Sequence, residues 1–271
     1  MTDITSLYNK NIKEKINSQR YQNGIYIVAT PIGNILDISI RALAILQKAD
    51  VILSEDTRVT MKLLNFYEIH NKKLVSFNDI VENKNVDKFL EIIAANPISA
   101  IVSDAGTPLI SDPGFKLIRE AIRKNIKIFS IPGACSPITA LTLSGLPSNE
   151  FLFKGFLSPK PGTKANQLLK FKEYDGTIII LESPYKIVST IEAILNVFGD
   201  VQIAVAREMT KQFEEIIRGN ASFVLEKLSN QHEIKGEFVI VFNKSAENNN
   251  NFMNNINQTA YSTKQFDDEI Q

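Results

Sequence analysis

From Gly24 onward the chain alternates between two textures. Residues 25–30 form a continuous apolar run of strand length, residues 38–48 carry Ile40, Leu43, Ala44 and Leu46 at helical spacing, and residues 51–53 return to a strand-like run. The alternation predicts further helices over 57–66, 86–95, 115–124 and 137–144, with strands near 74 and over 98–102 and 126–131. A parallel strand pair needs a crossover long enough to hold a helix, so this succession predicts an α/β layer structure with a largely parallel sheet.

The turn-rich segment Gly145-Leu146-Pro147-Ser148-Asn149 marks the boundary of a first α/β domain, 25–147. In the second, 148–244, residues 151–156 and a Pro/Gly/Lys loop at 158–164 precede a helix over 165–173. Strands at 177–181, 201–206, 213–218 and 237–242 then surround helices at 185–198 and 221–228, which predicts a smaller α/β domain with a mixed sheet. Residues 1–24 read as an N-terminal arm or frayed helix. Residues 245–271, with an asparagine run at 248–251, lack apolar periodicity and read as a disordered tail.

With 271 residues, 44% of them hydrophobic, the chain is long enough for one large core or two ordinary ones. Cys135 is the single cysteine, the first two dozen residues lack the apolar core of a signal peptide, and no apolar run approaches the roughly 20 residues of a membrane span, so a cytoplasmic protein is expected. His70 and His232 are far apart and form no zinc-ligand spacing, so no protein metal site is expected. Both read as surface or structural residues, and Cys135 as a small buried one.

The formal net charge of zero argues against a protein that coats nucleic acid through bulk positive charge. That zero sums unlike regions. The arm is net basic, the tail is net acidic, and Lys154, Lys160, Lys164, Lys170 and Lys172 lie in a stretch free of acidic residues. A solvated helix face accounts for Lys170 and Lys172, while Lys160 and Lys164 fall in the expected loop and suit contact with phosphates.

Neither G-x-G-x-x-G nor G-x-x-x-x-G-K-[ST] occurs, which disfavours the dinucleotide fingerprint and the P-loop. Glycine and proline instead cluster after expected strands, at residues 30–34, 103–114 and 131–134. Three such loops point to one crevice at the carboxyl ends of a parallel sheet. In residues 103–114, Gly106 and Gly114 permit a left-handed backbone or close approach of a ligand, and Asp112-Pro113 suits the start of the next helix. Ordinary turn chemistry explains most of the same residues. Ser54-Glu55-Asp56-Thr57-Arg58 adds two carboxylates able to act as bases and a guanidinium able to fork onto phosphate, against the simpler reading of Asp56 or Thr57 as a helix cap. Glu182 and Arg207-Glu208 end strands of the second domain and either face the same cleft or pair as surface ions.

Taken together, Val28-Ala29-Thr30-Pro31-Ile32-Gly33-Asn34, Glu55-Asp56-Thr57-Arg58, residues 103–114, Ile131-Pro132-Gly133, Ser144-Gly145-Leu146-Pro147 and Phe153-Lys154-Gly155-Phe156-Leu157 resemble one family. It is the ribosomal RNA small subunit methyltransferase I branch of the tetrapyrrole methylase superfamily. The resemblance runs in order from about Gly24 to Phe242. It implies a two-domain tetrapyrrole methylase fold, usually a homodimer, with S-adenosylmethionine held between the domains. It also implies 2′-O-methylation of a decoding-region cytidine in 16S ribosomal RNA, as free RNA or within the small ribosomal subunit.

Carried over by position, the implied cofactor residues are Pro31, Asp104, Ala105, Gly106, Thr107, Ile110, Ser111, Pro132 and Gly133, with Leu157 and Ala206 from the second domain. Candidates for the reaction itself are Glu55 and Asp56 as proton acceptors and Arg58 as a holder of RNA phosphate, with Glu182 or Glu208 as second choices. The family's Glu-Ser-Pro-His-Arg stands here as Glu182-Ser183-Pro184-Tyr185-Lys186, which removes a titrating imidazole and a bidentate fork. Met209 is a mild apolar departure in a second motif. The competing readings are a carbon methyltransferase acting on a tetrapyrrole and a non-catalytic module that only senses the cofactor.

Overall fold

The computed structural model describes residues 10–244, so the tail and the first nine residues of the arm lie outside the described residues. The chain divides between Cys135 and Ser136 into two units. That division precedes the expected boundary at 145–149, because helix α6 (Ser136–Ser144) packs against strands of the second sheet.

In the first unit, α1 (Lys10–Ser18) precedes five strands: β1 (Gly24–Val28), β2 (Val51–Ser54), β3 (Leu74–Ser76), β4 (Ile98–Val102) and β5 (Ile128–Ile131). All pair in parallel, in the order β3-β2-β4-β1-β5. Alternate residues of each strand bury on opposite faces. Tyr26, Val28, Ile52, Ala100 and Val102 pack with residues of α2 (Ile40–Lys48) and α3 (Thr57–Phe66). Ile25, Val51, Leu53 and Ile101 pack with residues of α4 (Asp79–Ala94) and α5 (Phe115–Arg123). Covering both faces is what the near-continuous apolar strands require.

β1 and β4 are neighbours, yet β1 leads into α2 on one face and β4 into α5 on the other. Their connecting loops therefore part at the carboxyl end of the sheet, where such folds open a crevice.

Caps start these helices. Ser39 accepts from Ala42 N at 3.1 Å, Asp56 from Arg58 N at 2.8 Å and Asn78 from Val81 N at 3.1 Å. The Asn78 cap begins α4 well before the expected 86, and the helix kinks at Asn85. This early turn carries Glu82, whose buried carboxylate accepts Gly114 N at 3.1 Å and Leu117 N at 2.8 Å. The N-cap of α5 is Gly114, at φ 127°, not Asp112 as the sequence suggests. A glycine cap has no side-chain acceptor, and Glu82 supplies one from a neighbouring helix.

The second unit holds α6 and then β6 (Phe151–Phe156), α7 (Pro161–Leu169), β7 (Thr177–Glu182), α8 (Ile187–Phe198), β8 (Gln202–Arg207), β9 (Glu215–Asn220), α9 (Ala221–Ser229) and β10 (Phe238–Asn243). Its sheet order is β6-β7-β10-β8-β9. β6 and β7 are parallel, β10 is antiparallel to β7 and β8, and β9 is antiparallel to β8, so the sheet is mixed as expected. Ile178, Ile180, Ile203, Val205 and Ile240 face residues of α7, α8 and α9. The alternate residues Ile179, Ala204, Val239 and Val241 point to the other face, where α6 packs.

α7 begins at Pro161, inside the expected loop, because proline at a first helical position loses no hydrogen bond. β9 begins at Glu215, which leaves Phe213 in the preceding loop. Among the described residues no helix is long and apolar enough to cross a membrane.

The Glu82 contacts generate a prediction. Glu82→Ala leaves two buried N–H groups without their acceptor and costs about 2 kcal/mol or more of unfolding free energy in a denaturant titration. Glu82→Gln, which keeps one acceptor oxygen, costs roughly half as much.

Candidate functional site

Four loops meet at the carboxyl end of the first sheet. Thr30 N donates to Gly106 O at 2.8 Å and Gly106 N returns a bond to Thr30 O at 3.1 Å, which makes a two-residue antiparallel bridge between the loops after β1 and β4. The Thr30 hydroxyl donates to Ser103 O at 3.1 Å. The Thr107 hydroxyl donates to Ala134 O at 2.9 Å and draws in the loop after β5. The loop after β2 joins through Asp104, whose Oδ1 accepts Asp56 N at 2.9 Å and whose N approaches Glu55 Oε2 at 3.4 Å.

Two glycines allow this closeness. Gly106 has φ 81°, and a Cβ there would stand 3.2 Å from Ile32 Cγ2; at Gly133 a Cβ would stand 2.9 Å from the Ala29 Cβ. The strand-following loop also bends without glycine. Leu109 and Ser111 have φ of 72° and 70°, a conformation costing about 1–3 kcal/mol at each non-glycine residue. The contacts at its two ends, Thr30 to Gly106 and Glu82 to Gly114, hold the loop there.

Of the expected cofactor residues, Asp104, Ala105, Ile110, Ser111, Pro132 and Gly133 are exposed on these loops, Pro31 and Thr107 are half-buried, and Gly106 is buried. A cavity of ≈ 390 Å³ opens beside them. Pro31, Gly33, Asp104, Val59, Leu63 and Phe66 contribute to its lining, so it unites the loops after β1 and β4 with one side of α3.

The carboxylates differ in chemistry. Asp56 caps α3 and takes the Arg58 fork, with Nε at 3.0 Å from Oδ1; those bonds hold its pKa at about 2. Arg58 itself is exposed. Burial raises the pKa of Glu55, as it does that of Asp104. Asp112 is pushed up to about 7, first by burial and then by the charge of Glu55, against a hydrogen bond with Ser103 that lowers it. Among the described residues, no cluster of three His, Cys, Asp or Glu could hold a metal ion. His70 and His232 are exposed, and Cys135 is half-buried.

The second unit corrects one expectation directly. Lys164 is not a loop residue offered to phosphate: it lies within α7 at 3% exposure and donates to Ser189 Oγ at 3.0 Å and Thr190 Oγ1 at 2.8 Å. Thr190 passes the chain on to Glu182 Oε2 at 2.6 Å, and Glu182 Oε1 accepts Ser183 N at 2.8 Å. Burial lowers the Lys164 pKa. Glu182 is thus committed to an internal network, whereas Lys160, one turn earlier, is exposed.

Leu157 and Ala206 are both buried, and Ala206 is paired on one side with Ile216 and on the other with Val239. Neither offers a ligand an exposed side chain. Glu208 pairs with Lys211 at 3.0 Å and accepts Glu237 N at 3.0 Å. Sequence reasoning missed Glu82 and the proton affinity of Asp112. Asp112 carried the signal of a carboxylate in a glycine- and proline-rich turn, and Glu82 carried none.

Residues 24–224 match the family model described as Tetrapyrrole (Corrin/Porphyrin) Methylases. The chain is 44% identical over 220 residues to the Ribosomal RNA small subunit methyltransferase I of Hydrogenobaculum sp., which covers 81% of this chain and 95% of that protein. It is 40% identical to the protein of that name from Rickettsia prowazekii, over 86% of this chain and 82% of that one. The protein of the same name from Thermotoga maritima is 41% identical, over 80% and 96%.

Solved structures share the fold at lower identity. A diphthine synthase superposes with a TM-score of 0.64 at 19% identity, over 81% of this chain and 89% of that one. The uroporphyrin-III C-methyltransferase from Thermus thermophilus, complexed with S-adenosylhomocysteine, gives 0.58 at 18%, over 81% and 97%.

The raised Asp112 pKa sets a pH dependence. The folded state keeps this proton above the ordinary carboxylate pKa of 3.8, so the contribution of Asp112 to stability falls as pH rises from about 4 to about 7 and then levels off. Asp112→Asn removes that slope. In denaturant titrations at pH 5 and pH 8, the variant gains stability relative to wild type at pH 8.

Proposed function

Because the chain belongs to the ribosomal RNA small subunit methyltransferase I family of the tetrapyrrole methylases, we propose that it methylates the ribose 2′-oxygen of a decoding-region cytidine in 16S ribosomal RNA, using S-adenosylmethionine. Methylation of small-subunit ribosomal RNA follows from the name its relatives share. The 2′-oxygen and the cytidine rest on the resemblance of the loop motifs. The observation that carries the reading is the joining of those motifs, through Thr30, Asp104, Gly106 and Thr107, into one ledge at the carboxyl end of the first sheet.

The ledge fits the cofactor. At Gly106 and Gly133 the tight approach of Ile32 and Ala29 leaves backbone where any side chain would intrude. Ile110 and Pro132 offer exposed apolar surface to an adenine, and the Asp104 carboxylate offers a counter-charge to an ammonium or sulfonium group. When bound, S-adenosylmethionine supplies an activated methyl electrophile.

The chain's own residues then align the acceptor oxygen and take its proton, and alignment alone is worth about 7–11 kcal/mol. Glu55, whose burial raises its proton affinity, is the acceptor we assign. Asp56 is the poorer base because Arg58 holds its pKa near 2; its part is to cap α3 and orient Arg58. Arg58 and Lys160, both exposed, take RNA phosphates. The enzyme works in the cytoplasm as a homodimer, on the small ribosomal subunit or its RNA.

Nucleoside mass spectrometry of ribosomal RNA from cells lacking the protein is expected to show loss of one 2′-O-methylcytidine from 16S RNA. Its retention, or methyl transfer by the purified protein to a tetrapyrrole and not to RNA, contradicts the reading. Glu55→Gln is expected to slow single-turnover transfer by about 100-fold with cofactor affinity unchanged. An undiminished rate removes Glu55 as the acceptor.

A further inference from the structure

Helix α3 presents two stripes of residues at the spacing i, i+4 and i+7. Thr60, Leu64 and Tyr67, which ends the helix, are buried and tie it to the first unit. Val59, Leu63 and Phe66, one position earlier, all line the cavity of ≈ 390 Å³. A helix on a sheet needs only one stripe to hold it there, yet this second one is apolar over about 10 Å of helix length. Leu63 is half-buried, whereas Val59 is 39% exposed and Phe66 56%. The Phe66 ring is braced: Tyr67 meets it edge-on with ring centroids 5.0 Å apart, and the Tyr67 hydroxyl donates to Ile35 O at 2.6 Å. Ile35 is itself part of the lining.

The cavity adjoins the cofactor ledge and does not coincide with it. Of the cofactor positions expected in the first unit, Pro31 and Asp104 line it, while Gly106, Thr107, Ile110 and Gly133 do not. Asp104 marks the reacting end, because its Oδ1 accepts Asp56 N at 2.9 Å and its N is 3.4 Å from Oε2 of Glu55, the proton acceptor assigned above. Lys62 is exposed and also belongs to the lining, and Arg58, four residues before it, stands on the adjoining edge of α3. Arg58 is forked onto Asp56, whereas Lys62 enters no ion pair among the described residues.

An apolar wall with a braced ring, a cation and a carboxylate beside the assigned base match the base, phosphate and ribose hydroxyl of one nucleotide. Resting on the ribosomal RNA reading above, we propose that this cavity takes the acceptor nucleotide, turned out of the RNA, with its base on Phe66 and Leu63, its ribose at the Asp104 end and a flanking phosphate at Lys62. The volume is that of a small-ligand pocket, so it admits one unpaired nucleotide and shuts out a duplex.

The chain contains no tryptophan, so Phe66→Trp puts a single indole reporter in the cavity of the full-length protein. A single-stranded oligoribonucleotide spanning the decoding region is expected to quench its fluorescence, and the same strand annealed to its complement is expected not to; equal quenching by the two overturns the inference. With under-methylated small subunits as substrate, Phe66→Ala is expected to lower kcat/KM about tenfold or more, with S-adenosylhomocysteine affinity within about twofold of wild type. Phe66→Tyr, which keeps the ring, is expected to recover most of that loss. Leu36→Ala, which removes an apolar side chain of 70% exposure outside the cavity, is expected to match wild type. A wild-type kcat/KM for Phe66→Ala overturns the inference while the proposed function stands. A parallel fall in S-adenosylhomocysteine affinity assigns the cavity to the cofactor, and a change of oligomeric state in sedimentation assigns it to a second copy of the chain; either result also overturns it. If the wild-type protein transfers no methyl group to subunits, the proposed function fails and takes the inference with it.

Discussion

Two backbone hydrogen bonds, Thr30 N to Gly106 O and Gly106 N to Thr30 O, hold the functional end of the first unit together. A parallel sheet sends the loops after β1 and β4 to opposite faces, so nothing in the ladder itself keeps them near each other beyond the last paired residue. The bridge extends the pairing past the sheet for one residue on each side. Everything else at the site is tied to it: Thr107 brings in the loop after β5, Asp104 brings in the loop after β2, and the left-handed turns at Leu109 and Ser111 are held between the bridge and the Glu82 carboxylate. Glycine is required at 106 because the bridge combines a positive φ with van der Waals contact to Ile32.

Charge is divided between the units in a way that suits a polyanionic substrate and a cationic methyl donor. Glu55, Asp56, Asp104 and Asp112 gather at the loops of the first unit, and burial, with mutual repulsion second to it, raises the proton affinity of Glu55, Asp104 and Asp112. Such a group of carboxylates favours a sulfonium, and the exposed Arg58 held by Asp56 is the cation beside it. The second unit carries the exposed Lys160 and, one turn from the Lys164 contacts, the half-buried Lys186. A formal charge of zero therefore sums regions of unlike charge.

The α/β alternation was legible because helical and strand periods leave different apolar spacings, and the crevice because glycine and proline cluster after β1, β4 and β5. Contacts across long sequence separations were not. Glu82 falls outside the helix expected from 86, and its partners are the backbone amides of Gly114 and Leu117, 32 and 35 positions away. Lys164 reads as a loop residue because Pro161-Gly162 looks like a breaker, whereas proline there opens the helix that carries Lys164 inward. Asp112 looks like a cap, yet Gly114 takes that position. The left-handed turns at Leu109 and Ser111 leave no local signal, because neither residue type prefers that conformation.

The central claim is that the Thr30–Gly106 bridge assembles the loops proposed to hold the cofactor, and calorimetric titration of S-adenosylhomocysteine into Gly106→Ala tests it most directly. The added methyl group meets Ile32 at 3.2 Å on a backbone at φ 81°, so the variant's affinity is predicted to fall about tenfold or more. Gly145→Ala serves as the control, with a similar φ of 75° but no atom within 4 Å of the new methyl group, and its affinity is predicted to match wild type. Equal, undiminished affinities in both variants would contradict the claim.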